Sequence, residues 1–139
     1  MSLSIRNQIT GIVTAVTPGE VMATVRARLE GGQEITAAIT LDAVRDLGIG
    51  EGSQVRALVK STEVALATGL VDGVSIRNQI PGKITEIHLG VAMATVKVDV
   101  DGGELTAAIT KDAVEDLGLI PGAGVVALIK STEVSLATA

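Results

Sequence analysis

The chain has 139 residues, a formal net charge of −5, one His, no Cys and no aromatic residue. Without Cys there is neither a disulfide framework nor a thiolate metal centre, and an acidic chain without aromatic platforms is a poor binder of nucleic acid. The opening residues lack a basic segment followed by an apolar run, and no apolar segment approaches the roughly 18 residues that span a bilayer, so a cytoplasmic protein with no membrane partner is expected.

In chain order, Ile9–Thr17 alternates β-branched and small residues and reads as a strand. Pro18-Gly19 makes a turn. Glu20–Leu29 is a second strand, with Val21, Ala23, Val25, Ala27 and Leu29 on one face and Met22, Thr24, Arg26 and Arg28 on the other. Glu30–Gln33 supplies a Gly-Gly hairpin turn, and Glu34–Thr40 a third strand. A short helix follows, capped by Thr40 and stopped by Gly48, with Leu41, Val44 and Leu47 at helical spacing. After a turn at Gly50–Gly52, Gln54–Lys60 and Thr62–Thr68 complete five strands, with a bend near Ser61.

The second half repeats the first. Ser-Ile-Arg-Asn-Gln-Ile at 4–9 returns at 75–80, and Lys-Ser-Thr-Glu-Val at 60–64 returns at 130–134. Residues 4–32 align with 75–103 and 34–68 with 104–138, and 39 of the 64 pairs are identical. The pattern is a tandem duplication, with modules at 1–69 and 70–139 and the second helix at Thr110–Gly118. The expected fold class is all-β: two tandem OB-like five-stranded Greek-key barrels, each with one short helix between strands 3 and 4. Modules built from such small apolar side chains gain stability by association, so much apolar surface should lie between subunits.

Enzyme signatures are weak. His88 stands where the first module has Thr17, there is no Gly-x-Ser-x-Gly elbow, and Lys60-Ser61-Thr62 lacks the Gly-rich cradle of a P-loop. No catalytic residue, metal site or organic cofactor is expected. The constant stretches instead concentrate donors: Ser4, Arg6, Lys60, Ser61 and Thr40 at a helix start, matched by Ser75, Arg77, Lys130, Ser131 and Thr110. A donor-only set suits an unprotonated tetrahedral oxyanion and disfavours a protonated one such as phosphate. The alternative reading of the same residues has Arg6 and Lys60 pairing with Glu63 or solvent, and Ser4 and Asn7 acting as caps.

The opening motif, Ala37-Ala-Ile-Thr40, the Asp42–Gly48 helix and Ala57-Leu-Val-Lys-Ser61 together resemble the molybdate-binding Mop (TOBE) domains. The tandem arrangement is similar to the two-module molbindins. That resemblance implies a cytoplasmic protein of molybdenum storage or homeostasis that binds molybdate, or tungstate, which is nearly the same in size and charge. It implies a homotrimer of six modules with oxyanions at interfaces between modules and subunits. Carried over residue by residue, it implies one site class of Ser4, the Ile5 amide, Arg6, Thr40, Lys60 and Ser61. The second comprises Ser75, Ile76, Arg77, Thr110, Lys130 and Ser131. The chain departs from the pattern at Ile5 and Ile76, where the family often has Ala or Gly, and at Met22 and Met93, where it typically has Asn near the symmetry axis. The competing expectation is a non-catalytic OB-type scaffold that binds a protein partner and ignores oxyanions.

Overall fold

The computed structural model describes residues 2–138. The first half contains β1 (Asn7–Pro18), β2 (Met22–Leu29), β3 (Glu34–Thr40), α1 (Leu41–Leu47), β4 (Gln54–Val59) and β5 (Ala65–Ala67). The second contains β6 (Asn78–Leu89), β7 (Met93–Val100), β8 (Gly103–Thr110), α2 (Lys111–Leu117), β9 (Gly124–Ile129) and β10 (Ser135–Thr138). Strand alternation behaves as the sequence implies: Ala23, Val25, Ala27 and Leu29 are buried while Met22, Thr24, Arg26 and Arg28 are exposed. Val21 departs from that pattern and is 71% exposed, because β2 begins one residue later and Val21 lies in the turn. The expected strand Thr62–Thr68 is also shorter. Ser61–Glu63 and Ser131–Glu133 close into 3-10 turns, each followed by a buried Val, Val64 or Val134.

Both helices are held at their ends as their sequences dictate. Thr40 and Thr110 accept from the amides of Ala43 and Ala113 at 3.1 Å, and Gly48 and Gly118 end the helices at φ 64° and 63°, a left-handed conformation that Gly adopts without steric cost.

The protein is all-β, with two curled antiparallel five-stranded sheets. Their strand orders are β10-β4-β1-β2-β3 and β5-β9-β6-β7-β8. Each sheet therefore takes its last strand from the other half: Ser135–Thr138 pairs with Val55–Leu58, and Ala65–Ala67 pairs with Val126–Leu128. The covalent repeat and the hydrogen-bonded sheet thus part company over the fifth strand. One continuous core runs through both sheets, from Val13, Val25 and Val55 to Val96, Val98 and Ile129.

Two buried asparagines lock the halves together. Asn7 Nδ2 donates to the Thr106 carbonyl at 2.9 Å and its Oδ1 accepts from the Thr106 amide at 2.7 Å. Asn78 treats Thr36 the same way, at 2.9 and 2.8 Å. A primary amide matches one residue's worth of ladder, so each Asn satisfies the N–H and C=O of one residue on the free edge of β8 or β3 with its own carbonyl and one of its N–H groups. At the far side, the hairpin turn at Gly31 meets that at Asp101-Gly102, where a methyl group on Gly31 would overlap the Asp101 carbonyl.

Candidate functional site

The same two asparagines set where the constant stretches lie. Asn78 fixes the opening stretch of the second half against β3, and the closing turn Ser131–Glu133 packs on β3 as well. The result is a recess of about 350 Å³ lined by Thr24, Thr36, Ser75, Arg77, Lys130, Ser131 and Thr132. It continues into a neighbouring recess that shares Thr24, Thr36 and Arg77 and adds Ala15, Thr17 and Arg26. This first seam contains three cations, several hydroxyls and no carboxylate. By the repeat, a second seam forms from the first half's ends against the second sheet. Asn7 fixes the opening stretch on Thr106, and Ser61–Glu63 packs on β8. In the repeat Ser4, Arg6, Lys60, Ser61 and Thr62 are the counterparts of Ser75, Arg77, Lys130, Ser131 and Thr132, and Thr95 and Thr106 those of Thr24 and Thr36.

The side chains are poised as donors. Arg77 Nε and Nη2 donate back to the carbonyls of Ser75 and Val74 at 3.4 and 2.9 Å, and Arg6 does likewise to Ser4 and Leu3 at 3.2 and 2.7 Å. These bonds fix each guanidinium in place and leave its other N–H groups for the seam. Gln8 and Gln79 bond the carbonyls of Ile5 and Ile76 at 3.0 and 3.5 Å, holding the opening turns. Among the described residues the ion pairs are His88–Glu86, Lys97–Glu86 and Lys111–Glu115; none uses Arg6, Arg77, Lys60 or Lys130. Pairing of Arg6 or Lys60 with Glu63 is therefore not what the structure shows. Most telling, the Oγ atoms of Ser61 and Ser131 are buried with no hydrogen-bond partner, a costly state for a hydroxyl unless the site supplies one.

Of the residues expected from sequence, Ser75, Arg77, Lys130 and Ser131 come together in one recess. Ile76 lines a different recess, beside Lys130, Glu63 and Glu133, whose two carboxylates make it a poor place for an anion. Thr40 and Thr110 serve as helix caps and do not line the seam. The seam walls Thr24, Thr36 and Thr132 were missed, although each is identical to its repeat partner, Thr95, Thr106 or Thr62. Asn7 and Asn78 are structural staples and not caps. Among the described residues no group of three or more His, Cys, Asp or Glu could hold a metal ion, and no helix is long and apolar enough to cross a membrane.

The sequence model of the TOBE domain matches residues 3–66 and 74–136. The chain belongs to the TOBE family. Among solved structures, the cytoplasmic molybdate-binding protein ModG, with molybdate bound, matches this two-TOBE chain at 38% identity with a TM-score of 0.95, covering 100% of both chains. The molybdenum-pterin-binding protein MopB of Rhodobacter capsulatus is 41% identical over 136 residues, 96% of this chain and 50% of its own. The molybdenum transport protein ModE of Azotobacter vinelandii is 39% identical over 138 residues, 99% of this chain and 51% of its own. The chain thus spans about half the length of these curated relatives. A single TOBE unit is matched by the molybdenum-pterin-binding protein 3 of Clostridium pasteurianum, 46% identical over 66 residues and 97% of that protein.

Proposed function

We propose that this chain binds molybdate, with tungstate as an alternative guest, in the seams where the ends of one half meet the sheet of the other. The observation that carries the reading is a carboxylate-free recess holding Arg77, Lys130 and the unpartnered Ser131 hydroxyl. Cations and hydroxyls that are held in place and lack acceptors favour a small, fully deprotonated dianion over a protonated one. Likeness to ModG over the whole chain supports the same guest. On this reading the donor side chains are Ser75, Arg77, Lys130 and Ser131 in one seam and their repeat counterparts Ser4, Arg6, Lys60 and Ser61 in the other, while Ile5 and Ile76 offer only backbone amides and Thr40 and Thr110 stay with their helices. Modules 1–69 and 70–139 each contribute to both seams, and the protein is a cytoplasmic, non-catalytic molybdenum store or buffer. Exposed apolar residues at the hairpin turns, Val21, Met22, Leu89, Val91 and Met93, support self-association into the expected homotrimer.

Molybdate at about a hundredfold excess over Kd should stabilise the fold by about 2.7 kcal/mol, read as a rise in Tm. Replacing Arg6 and Arg77 together by Ala should remove most of that rise while leaving the Tm without molybdate near wild type. Full retention of the rise would falsify the assignment of these seams. A wild-type protein that ignores molybdate would favour the scaffold reading. Native mass spectrometry with and without molybdate reports subunit number and occupancy together.

A further inference from the structure

The two seams share a backbone but not a chemistry. In the first sheet a row runs from Ala15 on β1 through Arg26 on β2 to Thr36 on β3, and the recess against Arg77 gathers all of these side chains. The corresponding row in the second sheet is Glu86, Lys97 and Thr106, beside the Asn7 staple and hence Arg6. One rung along, Thr17 opposite Thr24 becomes His88 opposite Thr95. The replacements place a carboxylate where the first seam has a methyl group. Glu86 engages both neighbours, His88 Nε2 at 2.6 Å and Lys97 Nζ at 3.5 Å. Lys97 is thereby drawn onto Glu86, whereas Arg26 has no acid partner among the described ion pairs.

We infer that the two seams of one chain are unequal oxyanion sites, the first tight and selective for a fully deprotonated dianion, the second weaker and more tolerant of a protonated one. Glu86 and its counterpart Ala15 set the difference. This rests on the binding reading above and adds a ranking to it. The physical ground is twofold. A fixed negative charge beside the seam repels a dianion and takes up one of its cations. The same carboxylate is a hydrogen-bond acceptor, which a protonated oxyanion such as hydrogen phosphate can use and molybdate cannot.

The test is calorimetric titration of the full chain with molybdate, alone and in excess inorganic phosphate. Wild type should give two classes in equal number, separated by about tenfold in Kd, with phosphate competing more strongly for the weaker class. The double variant Glu86→Ala, His88→Thr should merge them into one tight class at unchanged total stoichiometry. Ala15→Glu should instead weaken the first class about tenfold, and because the position is exposed the fold should survive it. Superimposable isotherms for wild type and the double variant overturn the ranking. Absence of saturable binding in all three proteins overturns the binding reading, and the ranking with it.

Discussion

Comparing the halves position by position, the residues that staple them together are identical, and several exposed positions on the hairpins differ. Asn7 and Asn78, Thr36 and Thr106, and the two Lys-Ser-Thr-Glu-Val turns are constant, and all sit along the contact between halves. Ala15 and Glu86, Thr17 and His88, and Glu20 and Val91 differ, and all lie on the exposed β1–β2 or β6–β7 hairpins. At the staples each copy bonds the same residue of the other, so both positions have the same partner to satisfy. Away from that joint the two copies are free to acquire different charges.

The largest expected effect tests the joint itself. Deleting residues 135–139 removes β10, whose partner is β4 of the first half. The loss should be about 3–5 kcal/mol, from edge hydrogen bonds and the burial of Leu136. Amide exchange should rise in Val55–Leu58, far along the chain, and much less in the sequence-adjacent Val125–Leu128. The reverse pattern would break the strand exchange. Next in size, Asn7→Ala or Asn78→Ala leaves an amide and a carbonyl unpaired, at about 1–3 kcal/mol each by urea unfolding. Equal losses would sharpen the equivalence of the two staples, and a loss near zero for either would deny it that role.

Smaller still are the caps. Thr40→Ala and Thr110→Ala should each cost about 1 kcal/mol. The Lys111–Glu115 pair at 3.9 Å, present in α2 alone, should shift that balance by no more than about 0.5 kcal/mol. The least effect belongs to Glu86. The hydrogen bond from His88 and its nearby charge hold this carboxyl below the ordinary carboxylate range. A lowered native value stabilises the fold above the ordinary range, and the gain is lost as pH falls through the lowered value. For so exposed a group the gain is small. Thermal melts of wild type and Glu86→Gln should differ slightly near neutral pH and converge in acid; divergence on acidification would contradict that sign.

Much of the fold was legible because it is local. Alternation placed β1 to β4, and Thr40 and Gly48 marked both ends of the first helix. The strand exchange was not legible. Ala65-Leu66-Ala67 and Ser135-Leu136-Ala137 present almost the same side chains to either β4 or β9, so pattern alone does not choose the partner. The candidate site was half legible. Arg77, Lys130 and Ser131 announced themselves as constant donors, but Thr24 and Thr36 read as ordinary outward strand positions until Asn78 is seen to bring the chain end across them. Thr40 was legible as the cap of the first helix, whose Ala43 amide donates to its hydroxyl oxygen.

The traded fifth strand carries a lesson about ancestry and assembly. In this chain neither half completes its own sheet; a lone repeat that traded strands in the same way would have to meet a second copy, and folding would then depend on protein concentration. Joining two copies through Gly69–Val74 turns that encounter into a first-order event at high effective concentration. The short covalent tether therefore does the work that dimerisation would otherwise perform, and it frees the two copies to diverge while remaining obligate companions.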